Sequence, residues 1–246
     1  MAIEYRTSRV RPRPIAEGSD GIGRGGRYGE GYSLSLYGGK QCLSEEGSYF
    51  IATNPTFGTA VATTTSITTY VETAGAVGAM MMLKNTEQVS SDFPKRIYMD
   101  YIKLMIVQVP TSATSWQYGL VLDRARNRYT SGGAVVTPTN PNGDASAKSI
   151  GILYFGDLTT AVPLDRRLVG RGTHRGVIPT TFDEYLIIFG GSEGGSGFVG
   201  AAAAARNVDI TSPIIIGPQQ QLCMFQWGTS NAAAPSYEFE IGWWER

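Results

Sequence analysis

Histidine is nearly missing from this chain: His174 is the single one among 246 residues. A Ser-His-Asp triad needs an imidazole base, and familiar catalytic zinc sites draw on imidazole ligands, so either chemistry would have to use this one residue. It sits in Gly170-Arg171-Gly172-Thr173-His174-Arg175-Gly176, which reads as a basic, glycine-rich loop. A loop histidine that packs or hydrogen-bonds locally is the simpler account. Charge is scarce too, at 17% of residues against a usual ~25%. That argues against a coiled coil, a helical bundle or a highly charged disordered chain. The 21 basic residues balance the 21 acidic ones, so the global basic signature of a dedicated nucleic-acid binder is missing and nucleic acid is not an expected partner.

The other absences narrow the class further. Two cysteines, Cys42 and Cys223, make no disulfide framework. The longest apolar runs, such as Met80-Met81-Met82-Leu83 and Leu186-Ile187-Ile188-Phe189, fall far short of the ~20 residues that span a bilayer. Residues 1–14 carry Arg6, Arg9, Arg11 and Arg13 and no apolar core, so no signal peptide is expected and membrane is not an expected partner. No repeat is apparent, which argues against a propeller or solenoid. The expected product is a soluble protein made in a reducing cytoplasm.

What is present is glycine, at 31 residues, together with abundant threonine and serine. Residues 1–46 form one segment, an extended Gly/Arg-rich arm that cannot build its own core. It contains Arg9-Val10-Arg11-Pro12-Arg13-Pro14 and the glycine run around Arg24 and Arg27, and residues 1–40 hold seven basic against four acidic residues. Since the whole chain is neutral, the remainder carries the opposite surplus.

Residues 47–246 read as β-structure. Strands are expected at 48–53, 59–70 (where the apolar spacing also allows a short helix), 79–83, 96–109, 116–123, 150–155, 185–189, 214–216, 222–227 and 237–244, with a loop from Gly132-Gly133 to Asp144. The last is the cleanest: Tyr237, Phe239, Ile241 and Trp243 share one face, with Glu238, Glu240 and Gly242 on the other. Turn residues punctuate the gaps. The expected fold is all-β, an antiparallel β-sandwich of jelly-roll type with an extended N-terminal arm. The stretch 190–205, Gly/Ser-rich and then five alanines, is left as a flexible loop entering either a helical turn or a strand.

Several constellations offer chemistry and each has a simpler account. Gly21-Ile22-Gly23-Arg24-Gly25-Gly26 matches a dinucleotide fingerprint in letters, but neither a strand before it nor a helix after it is expected. Asn140-Pro141-Asn142-Gly143-Asp144 holds oxygen ligands yet lacks EF-hand spacing and reads as a tight turn. Asp157, Asp165, Asp183 and Glu184 supply carboxylates for a glycosidase, with nothing to pair any two of them. No catalytic residue, cofactor or metal is therefore expected. The basic run 165–175 suits salt bridges between subunits. Four tryptophans suggest a sugar platform, but Trp243 and Trp244 are adjacent on a strand and must face opposite sides, so one of that pair is a candidate exposed aromatic contact.

Three stretches resemble virion proteins of tailed bacteriophages: 47–55, Gly-Ser-Tyr-Phe-Ile-Ala-Thr-Asn-Pro; 131–140, with Ser131-Gly132-Gly133 and Thr137-Pro138-Thr139-Asn140; and 237–246, Tyr-Glu-Phe-Glu-Ile-Gly-Trp-Trp-Glu-Arg. The resemblance runs from residue 47 onward and leaves the arm out. It implies one jelly-roll domain that decorates or cements a capsid, commonly as a trimer, with a major capsid protein as partner and the virion as location. Arg9, Arg11, Arg13, Arg24 and Arg27 are then the expected anchors of the arm on neighbouring subunits. A receptor- or carbohydrate-binding module of a tail fibre or spike is the alternative from another class, and a major capsid subunit is a third.

Overall fold

The computed structural model describes residues 43–56, 60–62, 78–90, 94–109, 116–124, 128–161, 165–174, 181–190, 206–228 and 235–246. The arginines of the arm and the stretch 191–205 lie outside them. Among the described residues, alternating apolar positions give thirteen strands. These are β1 (Tyr49–Thr53), β2 (Val61–Ala62), β3 (Ala79–Asn85), β4 (Ile97–Gln108), β5 (Trp116–Asp123), β6 (Tyr129–Val136), β7 (Gly151–Thr160), β8 (Arg166–His174), β9 (Glu184–Phe189), β10 (Arg206–Thr211), β11 (Ile215–Ile216), β12 (Gln221–Gly228) and β13 (Ser236–Glu245).

They form two sheets. One runs β1-β13-β4-β9-β10, with β11 paired to β4 and β2 to β13; the other runs β6-β7-β3-β12-β5-β8. All pairings are antiparallel except β9 with β10, which run parallel with Ile188 opposite Ile210. The sheets pack face to face as a β-sandwich. Its core includes Leu83, Ile102, Leu222, Ile241 and Trp243, all 0–1% exposed. Phe155 of one sheet stacks on Phe239 of the other with ring centroids 3.8 Å apart. The turn at Leu43–Ser48, most of it assigned to the arm on sequence, is fastened to this body. Asn140 and Asn142 donate side-chain amides to the carbonyls of Gly47 (2.7 Å) and Glu45 (3.3 Å).

Glycine misleads the sequence in two places. The expected loop at 132–144 begins inside β6, where Gly132 and Gly133 take positive φ (86° and 62°) beside register shifts against β7. A Cβ at either would run into Asp157 or Leu158, so glycine here makes a bulge. The glycine-rich "loop" around His174 is strand β8. Its Gly170 and Gly172 face inward, where a Cβ would strike Leu120 and the Tyr118 ring. The absent side chains leave room for Tyr118 to reach Asp209 of β10, its hydroxyl donating at 2.9 Å. Strand β10 was not expected either. Of the run 59–70, only 60–62 is described, with β2 inside it.

The middle strands of the six-stranded sheet are apolar on both faces. On the side away from the core, Met82, Cys223 and Val121 align across β3, β12 and β5, each at most 1% exposed. Asp123 and Arg128 lie over the same side, and Arg128 is fixed there by its backbone N–H to Gln221 Oε1 (3.1 Å) and its Nε to the Ala161 carbonyl (2.9 Å).

Candidate functional site

The outer face of the seven-stranded sheet concentrates aromatic and acidic side chains in rows set by strand register. The first row places Tyr49, Trp244, Tyr98 and Ile215 side by side on β1, β13, β4 and β11. Tyr98 and Trp244 stack with planes 1° apart and centroids at 5.8 Å. The second row is Ile51, Gly242, Tyr101 and Ile188. The third is Thr53, Glu240, Lys103 and Leu186, and the fourth Glu238, Met105 and Glu184. The face therefore grades from aromatic at one end to charged at the other.

A β-bulge organises the middle. The register against β13 steps from Tyr101 opposite Gly242 to Met99 opposite Trp243, which makes Asp100 the extra residue. Bulges re-aim side chains, and here Asp100 accepts a 2.6 Å hydrogen bond from the Tyr49 hydroxyl while being 4% exposed. Next to it, Tyr101 donates to Glu240 Oε1 at 2.5 Å. Both tyrosines close over Gly242, where a Cβ would overlap the Tyr101 ring and the Tyr49 hydroxyl. Burial, then the hydrogen bond to Asp100, pushes the Tyr49 phenol well above its ordinary range. Burial, then Glu240, does the same for Tyr101. Both hydroxyls thus stay protonated and point their donors at carboxylates.

A cavity of about 180 Å³ opens at the charged end between Thr53, Lys103, Met105, Glu238 and Glu240. Lys103 Nζ is held 3.2 Å from Glu184 Oε1. Beside this end, Phe182 sits in the turn before β9 at φ 74° and 60% exposed, its N–H bonded to the Ile106 carbonyl. Carboxylates next to aromatic faces suit two kinds of ligand: a guanidinium, which pairs and stacks, or a sugar ring, which stacks and donates hydroxyls.

The tryptophans do not gather into one platform. Trp243, offered as an exposed contact, is instead wholly buried, its Nε1 donating to Glu245 Oε1 at 3.0 Å. Trp244 is the half-buried one and lies on the outer face. Trp227 covers Gly119 on the far sheet. His174 ends β8 opposite Trp116, and neither side chain is among those described. The carboxylates considered for hydrolysis lie apart. Asp157 is on β7, Asp165 pairs with Arg124 at 2.6 Å, and of the adjacent pair Asp183 is buried just before β9 while Glu184 opens that strand, half-buried. Asn140 and Asn142 each accept the N–H two residues on, so 140–144 is a pair of Asx turns. Arg166, Arg167 and Arg171 of the basic run are exposed on β8, with Arg171 donating to Gln117 Oε1 at 3.2 Å.

Sequence reasoning passes over Tyr49, Asp100, Tyr101 and Glu240, whose meeting depends on a bulge. It also passes over a formal Gly-x-Ser-x-Gly at Gly190-Gly191-Ser192-Glu193-Gly194, directly after β9; residues 191–194 are outside the described set. No family model matches this chain, and neither a curated protein nor a solved structure matches it.

Proposed function

We propose that this chain is a non-enzymatic virion structural protein, a decoration or cement protein that stabilises a phage capsid, with a jelly-roll body and an arm that laces neighbouring subunits. Strand order carries the proposal. Setting aside the β6-β7 hairpin and the added strands β2, β10 and β11, eight strands remain, in the orders β1-β13-β4-β9 and β3-β12-β5-β8. Numbered afresh along the chain, these are 1-8-3-6 and 2-7-4-5, the interleaving of two Greek keys. Double-sheet jelly rolls of this kind serve capsids and lectins.

Charge favours the shell role. Residues 1–40 hold seven basic against four acidic residues and the rest of the chain the matching acidic surplus, so copies neutralise one another on assembly. The sandwich is the rigid block, Arg9, Arg11, Arg13, Arg24 and Arg27 anchor the arm by paired charges, and its glycines allow close backbone approach. The partners are other copies of this chain, as a homotrimer, and a major capsid protein, in a virion assembled in the host cytoplasm. Deleting residues 1–40 should abolish co-sedimentation with capsids; undiminished binding would refute the arm mechanism. Copy number and symmetry in a low-resolution particle image separate decoration from a major capsid subunit.

The stacked Tyr98–Trp244 pair, on the same sheet face as Glu240, favours a second reading, a carbohydrate-binding module of a tail fibre or spike. Glycan-array binding lost on Trp244→Ala would select it.

A further inference from the structure

We propose that the outer face of the seven-stranded sheet is the seat for the arm of a second copy of this chain, with Arg9, Arg11 and Arg13 lying along Glu238 and Glu240 of β13. This seat rests on the assembly role proposed above and gives that role a surface.

Spacing and charge fit. Glu238 and Glu240 project from the same side of β13 two residues apart, about 6.6 Å along the strand. The three arm arginines recur at every second residue, and Arg11 and Arg13 each precede a proline, a sequence context that favours extended backbone. An extended arm therefore offers guanidinium groups at the interval of the glutamates. Pro12 and Pro14 lack N–H groups, so this segment is unsuited to a central strand and suited to lying on a face.

The chemistry of the face fits a guanidinium better than an ammonium. The Tyr101 ring lies against Glu240, to which its hydroxyl donates, with the Tyr98–Trp244 stack farther along the same face, and guanidinium stacks on rings while pairing with acids. Glu240, after accepting the Tyr101 hydroxyl, keeps further acceptor positions. The cavity between Thr53, Lys103 and Glu238 has room for a side-chain head, and Lys103 is drawn aside by Glu184.

The test uses purified full-length chain with no capsid present. Self-association is measured by sedimentation at low and high salt for the wild type, for Arg9→Glu/Arg11→Glu/Arg13→Glu, for Glu238→Arg/Glu240→Arg, and for all five changes together. The expected result is association that weakens with salt, falls about tenfold or more in either reversed set, and largely recovers in the combined chain. Circular dichroism of each variant checks that the fold is retained. In a Cys42→Ser background, a short bis-maleimide should join an Arg11→Cys chain to a Glu240→Cys chain. A monomeric wild type, insensitivity to either reversal, or cross-links confined to a doubly substituted single chain would each overturn the seat. So would unchanged association with loss of glycan binding in the glutamate variant. Because no particle is involved, the seat can fail while deletion of residues 1–40 still abolishes capsid binding, so the two proposals fail separately.

Discussion

Arg128 Nη1 lies 3.3 Å from Asp123 Oδ2, and the two side chains are 1% and 0% exposed. The pair sits where two connections meet over the six-stranded sheet, one from β5 to β6 and one from β7 to β8. Ala161 N–H bonds the Arg128 carbonyl at 2.7 Å, and Arg124 N–H bonds that of Asp165 at 3.2 Å. These bonds tie Ala161 and Asp165 to Arg128 and Arg124, and the ion pair fixes Arg128 to the end of β5.

Breaking one half of such a pair strands a buried charge. Asp123→Ala should cost about 3–5 kcal/mol in urea unfolding, whereas Arg128→Met combined with Asp123→Leu should retain most of the stability. Equal losses in the single and double variants would contradict this.

The adjacent tryptophans should separate cleanly. Trp243→Ala empties a core position and should cost about 3–5 kcal/mol. Trp244→Ala removes a stacked, half-buried ring and should cost about 1 kcal/mol. Urea midpoints at constant slope measure both, and similar costs would contradict the inside–outside assignment.

Alkaline pH should act through the buried phenols. Tyr49, Tyr101, Tyr118, Tyr185 and Tyr237 all lie above the ordinary value of 10.0, burial being the largest cause in each. Between the unfolded and folded values the unfolded chain has lost these protons and the folded chain still holds them. Their contribution is therefore fully present below pH 10.0 and drains away as pH rises above it. Melting temperature should fall steeply above about pH 10, with phenolate absorbance from these groups appearing only on unfolding. Ionisation of all tyrosines ahead of unfolding would rule this out.

Period-two alternation made β4, β9 and above all β13 legible, because each buries one face. The misses share a cause. At Gly132, Gly133, Gly170 and Gly172 the residue was read as freedom of the backbone, when neighbouring atoms leave no room for a Cβ. The opposed facing of Trp243 and Trp244 followed from strand geometry; which of them is inside follows from Trp243 keeping phase with Tyr237, Phe239 and Ile241. The Tyr49–Asp100 and Tyr101–Glu240 pairs could not be read, since their partners are 51 and 139 residues apart and meet through a bulge that the letters do not mark.

Strand β13 lies between β1 and β4, and its final residues bond back to the start: Glu245 N–H to the Ser48 carbonyl, and Arg246 to Glu46 across 200 positions. During vectorial synthesis the ribosome delivers β1 and β4 with an empty lane between them. Closure of that sheet must wait until residues 236–245 have cleared the exit tunnel, and such long-range pairing is slow. Nascent chains stalled before that point should expose two unzipped edges, and the barrier to folding should be governed by the arrival of the last strand.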